Sequence, residues 1–596
     1  MPDSGLAPVP AQSAGIPALP PSAWTAAACI AVALPTLLAF NLPPSATFLN
    51  QAAAFIGWGV WALLLASSGI APGQPWRGGL GGLLAALALL ALAAGMAPLW
   101  AGLPWTLALS ALGTLAAAAL LVVIGAALAR GGLAPMVFHA LCVALVVAGV
   151  LGALIGVVQV FAPQWGDGTL IAQISSGRAA GNLRQPNHLS SLLLWSLVAL
   201  LWLAERGRIG RVAAPALGVL LLAGIVLSAS RTGMLGVLML GAWGLLDGRL
   251  SRRSRALLIA SPIVFALLWS GLAAWAHHSQ HVFGGDAQLA KGDISSSRFA
   301  IWANTLELIA RHPWFGVGWG EFNFAWSLTP FPDRPVAFFD HTHNLPLQFA
   351  VELGLPLACG LLALLSWALW RGARNCLQPL GADQAASPQR AAFVMVLLVL
   401  THSMLEYPLW YAYFLLPAAF ALGMCLGKPA APATLVAAPA RASRQALSFR
   451  VGSILLVLGA AYSIYDYLGV VVIFAPGDNA PPLAERIAAG QRSVFFSHHA
   501  EYAAATTSQD PVAALAAAQR AAHYLLDTRL MMAWADALHA NGDTERAKYI
   551  AQRLQEFRNP QSAGYFAACN DPALTVAENP YQCQAPQRKF TFRDFR

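Results

Sequence analysis

Charge is what this chain has least of. Of its 596 residues only 10% are Asp, Glu, Lys or Arg, while 58% are hydrophobic. Soluble globular domains carry about 25% charged residues, so composition alone excludes an ordinary water-soluble fold. Seven cysteines are present, five of them in apolar runs. None forms a Cys-x-x-Cys pair, which leaves no zinc ribbon and no dithiol redox motif. The segment Met1–Pro21 is rich in Pro, Ala and Ser and lacks a basic stretch ahead of an apolar one. It reads as a disordered cytoplasmic tail, not a cleaved signal.

What is abundant is uninterrupted apolar sequence. Gly79–Leu99, Trp105–Ala129 and Phe138–Val160 carry no charge, and roughly 20 such residues cross ~30 Å of hydrocarbon as a helix. With the amino terminus inside, about thirteen spans are expected, near 24–41, 52–70, 79–100, 105–129, 137–162, 189–205, 212–229, 233–247, 256–276, 344–370, 391–405, 409–427 and 451–474. The intervening inner loops then hold Arg77, Arg130, Arg206, Arg208, Arg211, Arg249, Arg252, Arg253, Arg255, Arg371, Arg374, Arg390, Lys428, Arg441, Arg444 and Arg450. The short outer loops 42–51, 101–104 and 406–408 hold none, as the positive-inside rule requires. The net charge of +9 is therefore a product of topology and not the footprint of a nucleic-acid partner. The fold class is an all-α polytopic membrane protein. A membrane domain over 22–474 has outer loops at 163–188 and 277–343, and a water-soluble helical domain follows at 475–596.

Cations on the outer side are not explained by orientation. Arg178 and Arg184 lie in the 163–188 loop, Arg231 in a tight turn between two apolar segments, and Arg298, Arg311 and Arg334 in the 277–343 loop. An ionisable group at membrane depth is costly and so a functional candidate, although snorkelling to lipid phosphates would also hold Arg231 there. The long loop ends in Asp340-His341-Thr342-His343-Asn344 and runs directly into an apolar segment. A single interfacial His is ordinarily structural. Two, flanked by Asp and Asn and facing arginines, suit a neutral base. His-x-His also suggests a metal, but the outer loops show no Asp-x-Asp or compact carboxylate cluster to complete a site, so no metal and no cofactor are expected. Glu406, in the nearly seamless apolar hairpin His402–Tyr411, needs a cationic partner, which a purely structural ion pair would equally supply.

Gly181–Leu189 (GNLRQPNHL), Ser230–Gly233 (SRTG), Ser297–Phe322, Asp340–Ala358 (opening DHTHNLPLQF) and His402–Pro417 (HSMLEYPLWYAYFLLP) together resemble the O-antigen ligase and polymerase superfamily of bacterial envelopes. Within it they are most similar to the PglL-type protein O-oligosaccharyltransferases. The likeness covers roughly 140–430. It implies a GT-C-like glycosyltransferase of the inner membrane that moves a glycan from undecaprenyl diphosphate, at the periplasmic face, to a Ser or Thr hydroxyl of a periplasmic protein such as pilin. By matching context it makes His343 the base and Arg231 and Arg298 the diphosphate clamps, with Gln185 and Tyr407 positioning sugar or acceptor. From placement alone Arg178, Arg184, Asn187, His341, Asn344 and Glu406 join them as substrate-binding residues. Lipid A core or a growing glycan are the alternative acceptors. A lipid-linked sugar transporter is the rival of another class, but it would place polar groups at mid-membrane in broken helices, whereas here they gather at one face.

In the tail, Asp510-Pro511 is a helix start, with an acceptor at the N-cap and Pro at N1. Met532–Phe557, around Asn541-Gly542-Asp543, has the small/large pattern of a tetratricopeptide-like helix pair. Cys569 and Cys583, on the oxidising side, are expected to pair. The tail is expected to be a helical module that docks a protein or caps the active site, and every residue assigned to chemistry precedes Ala430.

Overall fold

A chain in hydrocarbon must satisfy its backbone polar groups internally, and the helix does so with the shortest connections. The computed structural model describes residues 20–68, 77–130, 133–174, 177–279, 284, 296–377, 387–427, 439–571 and 579–596. Most of the expected amino-terminal tail, part of the long loop and Lys428 lie outside the described residues. Among those described there are 21 helices and no strand.

The membrane part comprises α1 (Pro21–Leu37), α2 (Phe48–Ser67), α3 (Gly78–Trp100), α4 (Trp105–Leu128), α5 (Ala134–Phe161), α6 (Pro186–Glu205), α7 (Ala213–Ser228), α8 (Arg231–Leu246) and α9 (Arg252–Ser279). The long loop contributes α10 (Ser296–Arg311) and α11 (Phe322–Leu328). Then come α12 (Leu345–Leu353), α13 (Leu355–Leu377), α14 (Pro388–Ser403), α15 (Ala412–Leu426) and α16 (Pro439–Phe474). Eight of these are long and apolar enough to cross a membrane: α2 to α6, α9, α13 and the Gln445–Phe474 part of α16. Four more, α1, α7, α8 and α15, are apolar but shorter. Outward-facing Leu92, Leu238, Ile263, Leu267 and Leu455 are exposed, as helices bathed in lipid require. The protein is a multi-pass membrane protein.

Small residues set the closest helix crossings, because packing rather than hydrophobicity drives association in lipid. α4 meets α15 at Gly125 and Gly423. A Cβ on Gly125 would fall 2.3 Å from the Phe420 carbonyl oxygen, and one on Gly423 would fall 2.2 Å from that of Val122. α1 lies against α2 and α5, α2 against α16, and α5 against α6.

The helices start and stop within about one turn of the expected spans, with two exceptions. α16 begins well before 451, at Pro439. The expected continuous span 344–370 is broken at Gly354, between α12 and α13. The break is made by the loop before it. Val317 N–H donates to the Val351 carbonyl at 2.8 Å and Gly318 N–H to that of Glu352 at 3.0 Å, while Leu355 N–H turns to Pro313 at 2.7 Å. Gly354 itself has φ 78°, ψ 161°, a conformation essentially restricted to glycine. Its missing Cβ would stand 2.3 Å from the Trp314 carbonyl oxygen. Gly354→Ala is therefore expected to cost more than about 3 kcal/mol and to lower the thermal unfolding midpoint in detergent. An unchanged midpoint would show that the kink is adaptable.

The carboxy-terminal domain follows α16 as α17 (Leu483–Gly490), α18 (Ser497–Thr507), α19 (Pro511–Ala521), α20 (Thr528–Ala540) and α21 (Thr544–Glu556). Asp510 caps α19 by accepting from Val512 N–H at 3.0 Å. α20 and α21 pack as a hairpin across the Asn541–Asp543 turn, and Cys569 and Cys583 are bonded. This domain shares a buried apolar cluster with the 301–361 segment, including Leu308, Phe324, Trp326, Leu530, Trp534 and Tyr549. It therefore lies on the same side as the long loop.

Candidate active site

Three helix starts converge beneath the hairpin that carries Glu406. α6 opens with Pro186 at N1 after Gln185. α8 opens at Arg231, capped by Ser230, whose Oγ accepts from Gly233 N–H at 3.0 Å. α12 opens after Asn344, whose Oδ1 accepts from Leu347 N–H at 3.1 Å. The first two are tied together: Ser230 Oγ donates to Asn187 Oδ1 at 2.7 Å and lies 2.9 Å from Ser190 Oγ. Unpaired N–H groups and aligned peptide dipoles make such a convergence favourable to anions.

Glu406 is the hub. Its Oε1 accepts from Asn187 Nδ2 at 3.0 Å and forms an ion pair with Arg298. Its Oε2 lies 2.7 Å from His343 Nδ1. Burial pushes the carboxyl up, but the His343 hydrogen bond and the neighbouring positive charge, above all the permanent one of Arg298, outweigh it and hold Glu406 below its ordinary value. As the ion-pair partner of Arg298 it is a carboxylate, which can only accept. The His343 proton then belongs on Nδ1, and in the neutral ring Nε2 keeps its lone pair.

His343 is held as if by a vice. Its backbone is left-handed, with φ 55°, uncommon outside glycine but commoner for His than for most residues. The preceding Thr342 is fixed on both sides, its N–H by Gln348 Oε1 at 2.8 Å and its carbonyl by Trp302 Nε1 at 2.9 Å. The rings of Phe339 and Tyr407 meet the imidazole edge-on, with centroids 5.4 and 5.0 Å away. Tyr407 also stacks on His341 at 4.4 Å. His341 Nδ1 is 3.1 Å from Asp340 Oδ1.

The arginines divide by role. Arg298 is on Glu406, and Arg231 is close enough to interact electrostatically with Arg298. Arg178 donates to the Ser228 and Ala229 carbonyls at 2.9 and 3.1 Å, closing the end of α7 and shaping the turn that presents Arg231. Burial, then the charge of Arg231, pull the Arg178 guanidinium below its ordinary value, while Glu406 opposes them.

Of the residues singled out in the sequence, the structure thus joins Asn187, Arg298, His343 and Glu406 by direct bonds, with Arg231, Arg178, His341 and Tyr407 around them. Two of the expected substrate-binding residues also hold backbone carbonyls. Arg184 donates to the carbonyls of Ala39 and of Ala46, anchoring the α1–α2 connection. Asn344, besides capping α12, donates to the Met404 carbonyl at 3.2 Å and so fastens the His343 segment to the Glu406 hairpin. Gln185 is half-buried, and no hydrogen bond of its side chain occurs among the described residues. Ser230, Trp302 and Gln348 hold the site together and went unread in the sequence. A Ser directly before a helix-starting Arg was the one signal available. Among the described residues no group of three or more His, Cys, Asp or Glu could hold a metal ion.

Three family models match the chain: O-antigen ligase over residues 216–362, the carboxy-terminal part of a virulence factor membrane-bound polymerase over 390–564, and a protein glycosylation ligase over 179–204. Among curated proteins, a general O-oligosaccharyltransferase of Acinetobacter baylyi is 27% identical over 263 residues, covering 43% of this chain and 44% of that protein. A ComP-specific O-oligosaccharyltransferase of the same organism is 26% identical over 264 residues, covering 43% and 45%. The chain thus spans less than half the length of either relative that it matches. The first and third family segments contain Arg231, Arg298, His343 and Asn187, and the second contains Glu406.

Proposed function

We propose, from the premise that the chain is a member of the PglL-type O-antigen ligase superfamily, that it transfers an oligosaccharide from undecaprenyl diphosphate to Ser or Thr hydroxyls of periplasmic proteins. Pilin-like proteins fall within that acceptor class. The observation that carries the reading is Glu406 bonded at once to His343 and Arg298. The acceptor hydroxyl gives its proton to His343 Nε2 as its oxygen bonds to the anomeric carbon of the donor sugar. The bond from that carbon to the diphosphate oxygen breaks, and the lipid diphosphate leaves with the electron pair. Negative charge grows on the leaving group, so Arg231 and Arg298 stabilise the transition state more than the ground state. Arginine's planar fork suits the phosphate oxygens. Glu406 holds His343 in the tautomer the step needs and stabilises the imidazolium that forms. No metal takes part in this scheme.

In this reading the protein sits in the bacterial inner membrane, with 163–188, 277–343 and 475–596 in the periplasm and the amino-terminal segment in the cytoplasm. The polymerase-like match over 390–564 favours a second acceptor, the hydroxyl of a growing glycan. Purified protein in lipid nanodiscs, given an undecaprenyl-diphosphate-linked glycan together with a pilin-like protein, lipid A core and free glycan, separates these outcomes. Mass spectrometry is expected to find the glycan on protein Ser or Thr. Modification confined to lipid A or to glycan would overturn the choice of acceptor.

A further inference from the structure

The segment that carries His343 is fastened to the carboxy-terminal domain, and the contacts form a continuous path. Asn323, in α11, is 4% exposed. Its Oδ1 accepts from Leu526 N–H at 2.7 Å, and its Nδ2 donates to the Phe339 carbonyl at 2.9 Å. One amide therefore joins the turn before α20 to the fourth residue ahead of His343. Around this link the two parts are sewn together. Glu321, fully buried, pairs with His523 at 2.9 Å. Tyr549 donates to the Leu328 carbonyl at 2.7 Å. Arg334 lies over the Phe557 ring at 4.3 Å and 3.2 Å from Glu556.

The aromatic side chains continue the path. Phe557, at the end of α21, stacks on Phe338 with centroids 3.8 Å apart and meets Trp326 edge-on at 5.3 Å. Trp326 meets Phe339 at 6.0 Å, and Phe339 meets the His343 imidazole at 5.4 Å. Each member fixes the next, and the last one fixes the ring.

We infer that the carboxy-terminal domain is a positioning element of the reaction centre, with Asn323 as the residue through which Leu526 holds the Phe339–His343 segment. The inference rests on the reading of His343 as the base, and it develops the expectation that the domain docks a protein or caps the active site. A misplacement of the order of 1 Å, made far from the chemistry, can cost about 10²-fold in rate.

Full-length Asn323→Asp tests it. The carboxylate still accepts from Leu526 N–H but no longer donates to the Phe339 carbonyl. Phe557→Leu is the second variant, which keeps apolar bulk and removes the ring that stacks on Phe338. Two readouts are taken on each: transfer kinetics with the lipid-linked donor, and amide hydrogen exchange over 339–343. Both variants are expected to lower kcat by roughly ten- to a hundred-fold, with donor KM changed by less than about two-fold, and to speed exchange over 339–343. Unchanged exchange in both variants would overturn the inference. Unchanged exchange together with a raised KM for the protein acceptor would do the same, and would assign the domain to acceptor capture. Faster exchange with wild-type transfer would show that the position of this segment does not govern the step, and would overturn the inference as well, whereas the base role of His343 is tested by its own substitutions.

Discussion

His343→Ala is expected to lower glycan transfer by about 10²- to 10⁴-fold, the range ordinarily supplied by a general base, while donor binding stays near wild type. The base acts on the step and not on the ground state, so the loss falls on kcat. His343 sits at φ 55°, a conformation in which His is enriched several-fold over most residues, so alanine also disfavours the turn. His343→Asn, whose side chain tolerates that conformation better, separates the two effects: it keeps the turn and lacks the base. Transfer within a few-fold of wild type by either variant, measured with a lipid-linked donor and purified acceptor, would end the base assignment.

Glu406→Gln is expected to be nearly as damaging, with a loss of at least about 10²-fold in kcat. The carboxylate takes hydrogen bonds from Asn187 Nδ2, Arg298 and His343 Nδ1. An amide has a single acceptor oxygen, and its NH2 would face another donor. Either the imidazole loses its orientation or Arg298 loses its partner, and kinetics distinguish them. A fall in kcat alone points to the imidazole, whereas a rise in donor KM points to the guanidinium. Wild-type kinetics in the Gln variant would show that the carboxylate charge plays no part, and the hub would be a structural knot.

The helices of the membrane part were legible because uncharged runs of sufficient length leave the backbone one solution. The kink at Gly354 was not. Hydropathy over 344–370 is continuous, and the interruption depends on N–H groups of Val317 and Gly318 reaching back to Val351 and Glu352. That is a tertiary fact carried by no local pattern. The same division runs through the site. A carboxylate in an apolar hairpin announces that it needs a cation, so Glu406 could be singled out, but its bond to His343 could not. Arg184 and Asn344 are expected at the site because they are polar and on the correct face, but what they hold in the fold was not legible. Their carbonyl partners, Ala39, Ala46 and Met404, are backbone groups that any residue would offer. The Leu526–Asn323–Phe339 link was not legible either, because it lies in one amide and two stretches of main chain.

The bond between Asn187 and Glu406 spans 219 positions, and this has a consequence for biogenesis. Helices enter the membrane in the order of synthesis, so Asn187, Arg298 and His343 are all translated before the carboxylate that gathers them. Until α14 has been threaded and its hairpin turned, the ribosome-bound intermediate holds Arg298 without the carboxylate that it pairs with in the finished fold. Contacts of such separation form late and slowly. A chain interrupted before residue 406 would therefore be a quality-control substrate in the membrane and not a partially active enzyme.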